Sequence, residues 1–218
     1  MSKTEIPWAQ YSINPVKGLC PVDCKDLEGK EYCYARKMYK RFKWNPEIRF
    51  EPIRDTDLPK KPSRIFVGST MELFDEWVDA FWLDSIFKTV KDNPKHTFIF
   101  LTKRPQNLAK WEFPPNCWVG ASADSYFHLF KATRYLPEVK ARVKFISFEP
   151  LLESMVGPRF NLDGINWLII GSQTQPVRHP EKEWCREIIK AADKAGVAVF
   201  VKEPLVTHIG IKRQEFPK

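Results

Sequence analysis

The 218-residue sequence lacks the short motifs of several common enzyme classes. Its four histidines include no pair at the spacing of a His-Glu-x-x-His zinc helix. Its nine glycines form no phosphate-binding loop of either common type, and no Gly-x-Ser-x-Gly nucleophile turn is present. The sequence therefore excludes the zinc-protease and serine-hydrolase classes and gives no phosphate-loop signal.

Long apolar runs and paired cysteines are also missing. No run approaches the roughly 20 apolar residues that a membrane-spanning helix requires, so we expect a soluble protein without a membrane partner. The five cysteines are an odd number, and no hydrophobic signal segment precedes Pro7. Both observations argue against a disulfide framework and predict a reducing, cytoplasmic location.

Hydrophobic residues make up 43% of the sequence, which is enough to bury one core, and we expect a single domain over residues 1–218. The 35 basic and 27 acidic residues give a formal charge of +8. This charge favours an anionic partner such as a nucleotide, a nucleic acid or an acidic carrier. A solvated basic surface without a specific partner is the alternative.

Three cysteines lie close together in a loop predicted over residues 15–35. Three residues separate Cys20 from Cys24, and eight separate Cys24 from Cys33. A zinc site of four ligands would need one further ligand from distant positions. Three clustered thiolates also suit an iron–sulfur cluster in which one iron keeps an open coordination position. From the spacing alone, both the zinc site and the iron–sulfur cluster stay open. Cys117 and Cys185 are each isolated in the sequence, so the candidates for a distant fourth zinc ligand are His128 and His179.

A run of cations and aromatic residues over 36–44 follows the third cysteine. Such a mixture is typical of surfaces that stack bases and neutralise phosphates. The pattern favours the simpler interpretation of one helix with an exposed and a buried face, in which Met38, Tyr39 and Phe42 contact the core.

Short apolar runs rich in β-branched and aromatic residues alternate with helical patterns. We predict buried parallel strands over 65–69, 97–102, 117–122, 143–149, 165–171 and 197–202, with an earlier strand over 9–14. Helical periodicity covers 73–91, 125–136 and 181–195, and Gly196 is placed to end the last helix. This alternation predicts an α/β fold, either a doubly wound sheet or a barrel.

Polar residues follow almost every predicted strand and favour a partial (β/α) barrel of about six parallel strands. Carboxyl ends of parallel strands converge on one rim, where sites in such folds are built. An ordinary cap or turn is the alternative for each residue taken singly. The residues are Ser69, Thr70, Glu72, Thr102, Lys103, Ser122, Ser147, Glu149, Ser172, Gln173, Lys202 and Glu203.

The cysteine cluster, with Tyr32 before its last member and a helix and parallel strands after it, resembles the radical S-adenosylmethionine superfamily. More closely, the chain resembles a phage-associated branch of unknown function, through segments 14–18, 32–36, 67–74, 101–105, 147–152 and 197–202. The usual superfamily motif has two residues between its second and third cysteines, whereas this chain has eight, and Gly29 would let the added residues loop out.

This resemblance implies a [4Fe-4S] cluster and S-adenosylmethionine bound at the rim of a partial barrel. An external donor would supply an electron that cleaves the cofactor to methionine and a 5′-deoxyadenosyl radical, which takes a hydrogen atom from the substrate. It implies that Cys20, Cys24 and Cys33 ligate the cluster and that Tyr32 lies near the adenine.

The remaining rim residues receive roles through the same resemblance. Ser69, Thr70 and Glu72 match the segment that binds the methionine amino group, and Ser122 and Glu149 are placed to reach the ribose. Lys103 is assigned to a cofactor or substrate carboxylate, and the candidates for the substrate side are Lys103, Arg104, Gln173 and Lys202. A structural salt bridge such as Lys103 with Glu149 is the alternative.

Basic charge and interleaved aromatics, together with the phage association that the resemblance implies, favour a nucleic-acid base or nucleotide as substrate, in phage DNA modification or lesion repair. Two other functions stay open at this point. One is a non-catalytic iron–sulfur or zinc protein that binds nucleic acid, and the other is a radical enzyme acting on a peptide or small metabolite.

Overall fold

The computed structural model of the chain describes residues 1–157, 160–174 and 176–218. Its strands are β1 (Ser2–Lys3), β2 (Tyr11–Ile13), β3 (Val16–Lys17), β4 (Arg49–Phe50), β5 (Arg64–Val67), β6 (Thr97–Thr102), β7 (Cys117–Ser122), β8 (Val143–Phe148), β9 (Trp167–Ile170), β10 (Gln173–Thr174), β11 (Val177–Arg178) and β12 (Ala198–Val201). The α-helices are α1 (Tyr34–Phe42), α2 (Ala80–Asp92), α3 (Tyr126–Tyr135), α4 (Lys182–Ala195) and α5 (Leu205–Ile209). Short 3₁₀ helices cover Asp55–Asp57, Pro105–Lys110 and Leu136–Glu138.

One large sheet has the order β1-β2-β5-β6-β7-β8-β9-β12. Only β1 is antiparallel to its neighbour, and the other seven strands are mutually parallel and follow chain order. Helices between successive strands cover one face of the sheet, as a partial (β/α) barrel requires. The predicted fold class is confirmed, and each predicted strand overlaps an observed one, although β5 begins one residue before the predicted start.

Side-chain hydrogen bonds cap the starts of α2 and α3. The Asp79 carboxylate accepts from the Phe81 N–H at 2.9 Å and starts α2, so the prediction of helix from residue 73 is wrong for its first turns. In that segment the Glu72 carboxylate accepts the Phe74 N–H at 3.0 Å instead of leaving it to a helical carbonyl. Gly196, in the left-handed conformation, ends α4 as predicted.

The inner face of the sheet carries a cluster of aromatic side chains around Trp167, which is fully buried on β9. Its indole N–H donates to the Glu215 carbonyl at 2.8 Å, which satisfies the polar edge of the ring. Phe145 fills the space beside Gly120 so closely that a β-carbon there would lie 2.5 Å from the ring. This packing closes the interior at the amino-terminal side of the strands and leaves the opposite rim for polar side chains.

Helix α1 buries only Ala35 and does not pack as predicted. Phe42 is 52% exposed, so the interpretation that placed it against the core is wrong. The helix ends at Lys43, a non-glycine residue in the left-handed conformation with φ of 51°. The Trp44 N–H then donates to the Tyr39 carbonyl at 3.3 Å, and the two rings meet edge to face at 5.2 Å. These are the hydrogen bond and apolar contact of a Schellman motif.

Both outer edges of the large sheet are short or covered. The edge strand β1 has two residues. At the other edge the Val201 N–H donates to the Arg213 carbonyl at 2.7 Å, and the Glu215 N–H donates to the Val199 carbonyl at 3.0 Å. Among the described residues, no helix is long and apolar enough to cross a membrane.

Candidate functional site

The three clustered cysteines lie in the loop between β3 and α1, against the carboxyl ends of the parallel strands. The backbone amides of Val22 and Glu72 donate to the Cys20 sulfur. Because Glu72 follows β5, this contact holds the loop against the strand end. Burial raises the pKa of Cys20, and the negative charges of Glu72 and Cys33 raise it further. The hydrogen bonds from the two backbone amides lower this pKa and offset part of the increase.

The Cys33 thiol has a different environment because it precedes the first residue of α1. The Cys24 thiol donates to the Cys33 sulfur, and the amides of Arg36 and Ala35 face it at the positive end of the helix dipole. These contacts lower the pKa of Cys33 to about 6 despite its burial, so the group is a thiolate at neutral pH. The same hydrogen bond raises the pKa of Cys24.

The two isolated cysteines contrast with this group. Cys117 on β7 and Cys185 on α4 are fully buried, and burial raises their pKa values to about 12 and about 11. Thiols that stay protonated among apolar side chains are structural rather than reactive.

A buried polar network joins the loop to the end of β7. The Lys103 ammonium contacts the Asp124 carboxylate at 2.7 Å and the Tyr32 hydroxyl at 3.0 Å. Tyr32 donates to the same carboxylate, and His128 Nδ1 hydrogen-bonds its other oxygen. The field of Lys103 also reaches Cys24. Four side chains from three separate parts of the chain therefore meet beside the cysteines.

The charges in this network stabilise one another. Burial opposes the ammonium of Lys103, but the neighbouring Asp124, Tyr32 and Cys24 raise its pKa above the usual lysine value. Burial likewise opposes the Asp124 carboxylate, yet His128, Lys103 and Tyr32 hold its pKa below the usual range. Lys103 therefore remains a fixed cation. Its partner is Asp124 and not Glu149, the salt-bridge partner considered from the sequence.

Glu72 is buried and braces the rim segment that follows β6. Its carboxylate accepts from the Thr102 hydroxyl at 2.6 Å, the Lys103 N–H at 2.8 Å and the Phe74 N–H. Burial raises the pKa of Glu72, and these donors offset part of the effect. Since a carboxylate offers about four lone-pair positions, one acceptor position stays available for a ligand.

Asn14, after β2, organises the rim segment of Ser69 and Thr70. Its amide nitrogen donates to the Ser69 hydroxyl at 3.1 Å, and its oxygen accepts the Thr70 N–H at 3.1 Å. The Tyr34 hydroxyl donates to the Ser69 carbonyl. The Tyr34 residue is 42% exposed, but its hydroxyl is enclosed, and burial raises the pKa of Tyr34 to about 12.

Glu149 lies at the end of β8 between two rim partners. It accepts from the Ser147 hydroxyl at 3.0 Å and forms an ion pair with Lys202, which follows β12. A β-carbon on Gly171 would lie 2.9 Å from this carboxylate, so glycine is needed for the close approach. Ser122 is buried beside Ser147 through the pairing of β7 with β8.

Gln173 is buried in the hairpin after β9 and lies apart from the Lys103 network. Its amide nitrogen donates to the Pro176 carbonyl at 3.3 Å. Its amide oxygen is buried and has no hydrogen-bond partner within the described part of the chain. An oxygen in this state is suited to accept a hydrogen bond from a ligand.

Sequence reasoning assigned no role to Asp124, Asn14 or Tyr34. Asp124 follows Ser122 by two residues, and Asn14 directly follows Ile13, so both carry the strand-end signal that selected the other rim residues. Tyr34 lies directly after a cysteine and gave no separate signal.

The donor set of the loop suits an iron–sulfur cluster. The loop presents three thiols, one of them ionised at neutral pH, with backbone amides directed at two of the sulfurs. Hydrogen bonds to sulfur are a recurring feature of such sites, and a cluster distributes its thiolates over separate irons. Within the described ranges, no group of three or more His, Cys, Asp or Glu side chains is arranged to hold a single metal ion.

The fold and the rim define an α/β partial-barrel protein with a three-cysteine loop at the carboxyl ends of its strands. Residues 3–205 match the family described as "Protein of unknown function (DUF5131)", and the chain belongs to this family. Comparison with curated proteins gives no match.

A solved structure of a spore photoproduct lyase mutant, with bound AdoMet and dinucleoside spore photoproduct, is similar in fold. The TM-score is 0.52 and the sequence identity 14%, over 88% of this chain and 63% of that chain. At this identity the similarity shows the fold alone. The chain spans less than two thirds of the length of that lyase.

Proposed function

We propose that this protein is a cytoplasmic radical S-adenosylmethionine enzyme that acts on a nucleic-acid base or nucleotide, in phage DNA modification or lesion repair. The observation that carries the proposal is the meeting of Cys20, Cys24 and Cys33 at the rim of a partial barrel, with the Cys24 thiol donating to the Cys33 sulfur. The fold shared with a lyase that holds AdoMet and a dinucleoside lesion supports both the cofactor and the substrate class.

The three cysteines would hold a [4Fe-4S] cluster. Once bound and reduced by an external donor, the cluster and S-adenosylmethionine supply the one-electron cleavage that yields methionine and a 5′-deoxyadenosyl radical able to take a substrate hydrogen. The chain holds the loop in place: the Arg36 guanidinium donates to the Cys20 carbonyl at 3.0 Å and the Val22 carbonyl at 3.3 Å.

Residues on the rim next to the loop provide the cofactor site in this proposal. Tyr32 would lie beside the adenine, with its hydroxyl fixed by Lys103 and Asp124. The remaining acceptor position of Glu72 suits the methionine ammonium or amine. Ser69, Thr70, Ser122 and Glu149 complete the cofactor side.

The substrate side uses charge that the fold maintains. Lys103 remains an ammonium because Asp124 pairs with it, so it presents a fixed positive charge to a carboxylate or phosphate. Lys202 is held by Glu149, and the Gln173 oxygen, which has no partner among the described residues, would accept a hydrogen bond from a base amine or amide.

The test is to purify the chain without oxygen, reconstitute it with iron and sulfide, and measure dithionite-dependent formation of 5′-deoxyadenosine from S-adenosylmethionine. We expect formation by the wild type, and its absence despite a full cluster would contradict the proposal. Absence of a cluster with tight binding of zinc would favour the zinc-protein alternative.

Matched cysteine variants separate ligands from structural thiols. Cys24→Ala and Cys33→Ala should each abolish the visible absorbance of the cluster. Cys185→Ala removes a buried thiol on α4 and should leave the absorbance intact. Loss of absorbance in Cys185→Ala, without loss of folding by circular dichroism, would overturn the ligand assignment.

A further inference from the structure

The exposed end of α1 combines aromatic rings with cations. Residues 40–44, which we call the α1 platform, are all exposed. Phe42 is 52% and Trp44 42% exposed, and their rings stack on each other at 5.5 Å with an interplanar angle of 21°. Large rings in solvent on a helix that buries one alanine contribute little to the core and are available to a partner.

The rings of the α1 platform are held in position before any partner binds. The Schellman hydrogen bond from Trp44 to Tyr39 fixes the chain reversal, and the Tyr39 ring supports the edge of the Trp44 ring. The Arg41 guanidinium lies over the Phe42 ring at 5.3 Å. Preorganised rings lose little conformational entropy when a ligand stacks on them.

The charge of this helix has one sign. Helix α1 contains Arg36, Lys37, Lys40 and Arg41 and no acidic residue, and Lys43 follows. Glu31 contacts Arg36 and Lys40 at 3.6 and 3.5 Å, and the Lys40 side chain is still 77% exposed. Basic residues in a last helical turn also favour the helix dipole, but that effect gives no reason for the exposed rings.

A cavity of about 190 Å³ lies beside the α1 platform. Its lining consists of Leu19, Arg36, Tyr39, Lys40, Trp44 and Pro46. Leu19 directly precedes Cys20, and Arg36 donates to the Cys20 carbonyl. The cavity beside the platform is therefore lined in part by residues that adjoin Cys20 in sequence or hydrogen-bond its backbone.

We infer that the α1 platform binds a single-stranded segment of nucleic acid, with bases stacked on Phe42 and Trp44 and phosphates held by Lys40, Arg41 and Lys43. The inference rests on the proposed function, because it gives the route by which a polynucleotide substrate is held near the cysteine loop. Stacking on a protein ring requires a base that is not paired inside a duplex, which selects a single strand.

Helix α1 sets the length of strand that the platform can hold near the site. Its nine residues span about 13 Å, which equals about four stacked nucleotides at 3.4 Å each. An oligonucleotide shorter than this cannot reach from the platform to the loop. We therefore expect affinity to rise with length up to about five nucleotides and then to change little.

Binding is measured by fluorescence anisotropy of labelled oligothymidylate with the full chain, in the absence of S-adenosylmethionine. We expect Phe42→Ala to weaken binding by about 5- to 100-fold, the usual range for loss of one stacked base. Phe81→Ala is the matched control, since Phe81 is 69% exposed on α2, and should bind as the wild type does. Arg41→Gln should lower the slope of log affinity against log salt by about 0.7, the value for one phosphate contact on a single strand.

Equal binding by Phe42→Ala and the wild type would overturn the inference, as would equal loss in Phe81→Ala. Tighter binding of a duplex than of the single strand would also overturn it. The assay needs no cluster, so failure here with intact formation of 5′-deoxyadenosine refutes the platform and leaves the proposed enzyme. Failure of 5′-deoxyadenosine formation with length-dependent, ring-dependent binding supports the platform and refutes the radical chemistry.

Discussion

Replacing Asp124 by asparagine removes the negative charge that faces Lys103 while keeping the size of the side chain. The Asp124 side chain is 5% exposed and the Lys103 side chain 17% exposed, so the variant leaves a largely buried ammonium without its counterion. Removing one partner of a buried pair costs about 3–5 kcal/mol, and the partial exposure of Lys103 places the expected loss near about 3 kcal/mol. For a chain of this length, that loss lowers the melting temperature by roughly 6–12 °C.

The loss should depend on pH in a defined direction. The folded protein holds the pKa of Asp124 below the unfolded value of about 3.9, so its ionisation stabilises the fold above that pH. The contribution decreases as the pH falls below about 4 toward the folded pKa. The difference in free energy of unfolding between wild type and Asp124→Asn should stay constant from pH 7 to 5. At lower pH it should decrease by up to about 1.4 kcal/mol per pH unit.

Urea unfolding at a series of pH values measures this difference. Asp92→Asn is the matched control, because Asp92 pairs with Lys88 on the surface of α2, and it should leave the free energy of unfolding within error. A difference below about 1 kcal/mol for Asp124→Asn at pH 7, or one that does not narrow in acid, would refute the account of the buried pair.

Three further predictions concern the turn after α1, the sheet and the thiols. Lys43→Gly should raise the free energy of unfolding in urea by about 0.5 kcal/mol. The glycine removes about 1 kcal/mol or more of left-handed backbone strain, and the greater conformational entropy that it gives the unfolded chain offsets only part of this gain. A lower free energy of unfolding in the variant would contradict this reasoning. Gly120→Ala should cost about 1–3 kcal/mol by overpacking, whereas Gly157→Ala should be near neutral, because a β-carbon there meets no described atom within 4 Å. Equal melting temperatures of the two variants would show that the sheet adapts. In the iron-free chain, iodoacetamide should modify Cys33 at pH 7 well before it modifies Cys117, and the rate at Cys33 should rise as the pH increases through 6. Equal modification rates of the two thiols, measured by mass spectrometry, would contradict the thiolate assignment.

Strand prediction succeeded because the central strands are buried on both faces and read as short apolar runs. Strands β6 and β7 have the predicted bounds. The start of α2 was missed because the apolar residues before Asp79, such as Leu73, have helical spacing but pack into the core from an irregular segment. The spacing of apolar residues indicates which side chains are buried but not the backbone conformation. In this segment the hydrogen bonds of Glu72 stabilise an irregular conformation.

Contacts within the site were harder to predict than its position. Strand ends indicated that Lys103, Glu149 and Lys202 lie on one rim. The pairing of Lys103 with Asp124, and of Lys202 with Glu149, depends on the order of neighbouring strands and on side-chain reach, which strand ends alone do not determine. Phe42 was assigned to the core because its spacing is compatible with a buried stripe, but its ring stacks on the exposed Trp44 ring and stays 52% exposed.

The short first strand and the covered β12 edge also affect how copies of the chain behave toward one another. An open sheet presents free N–H and C=O groups at its margins, and these are a template for pairing with another chain. Here β1 offers two residues, one of them Lys3, and the backbone of residues 213–215 occupies positions that a foreign strand would need beside β12. The short β1 strand and the covered β12 edge thereby limit edge-to-edge aggregation.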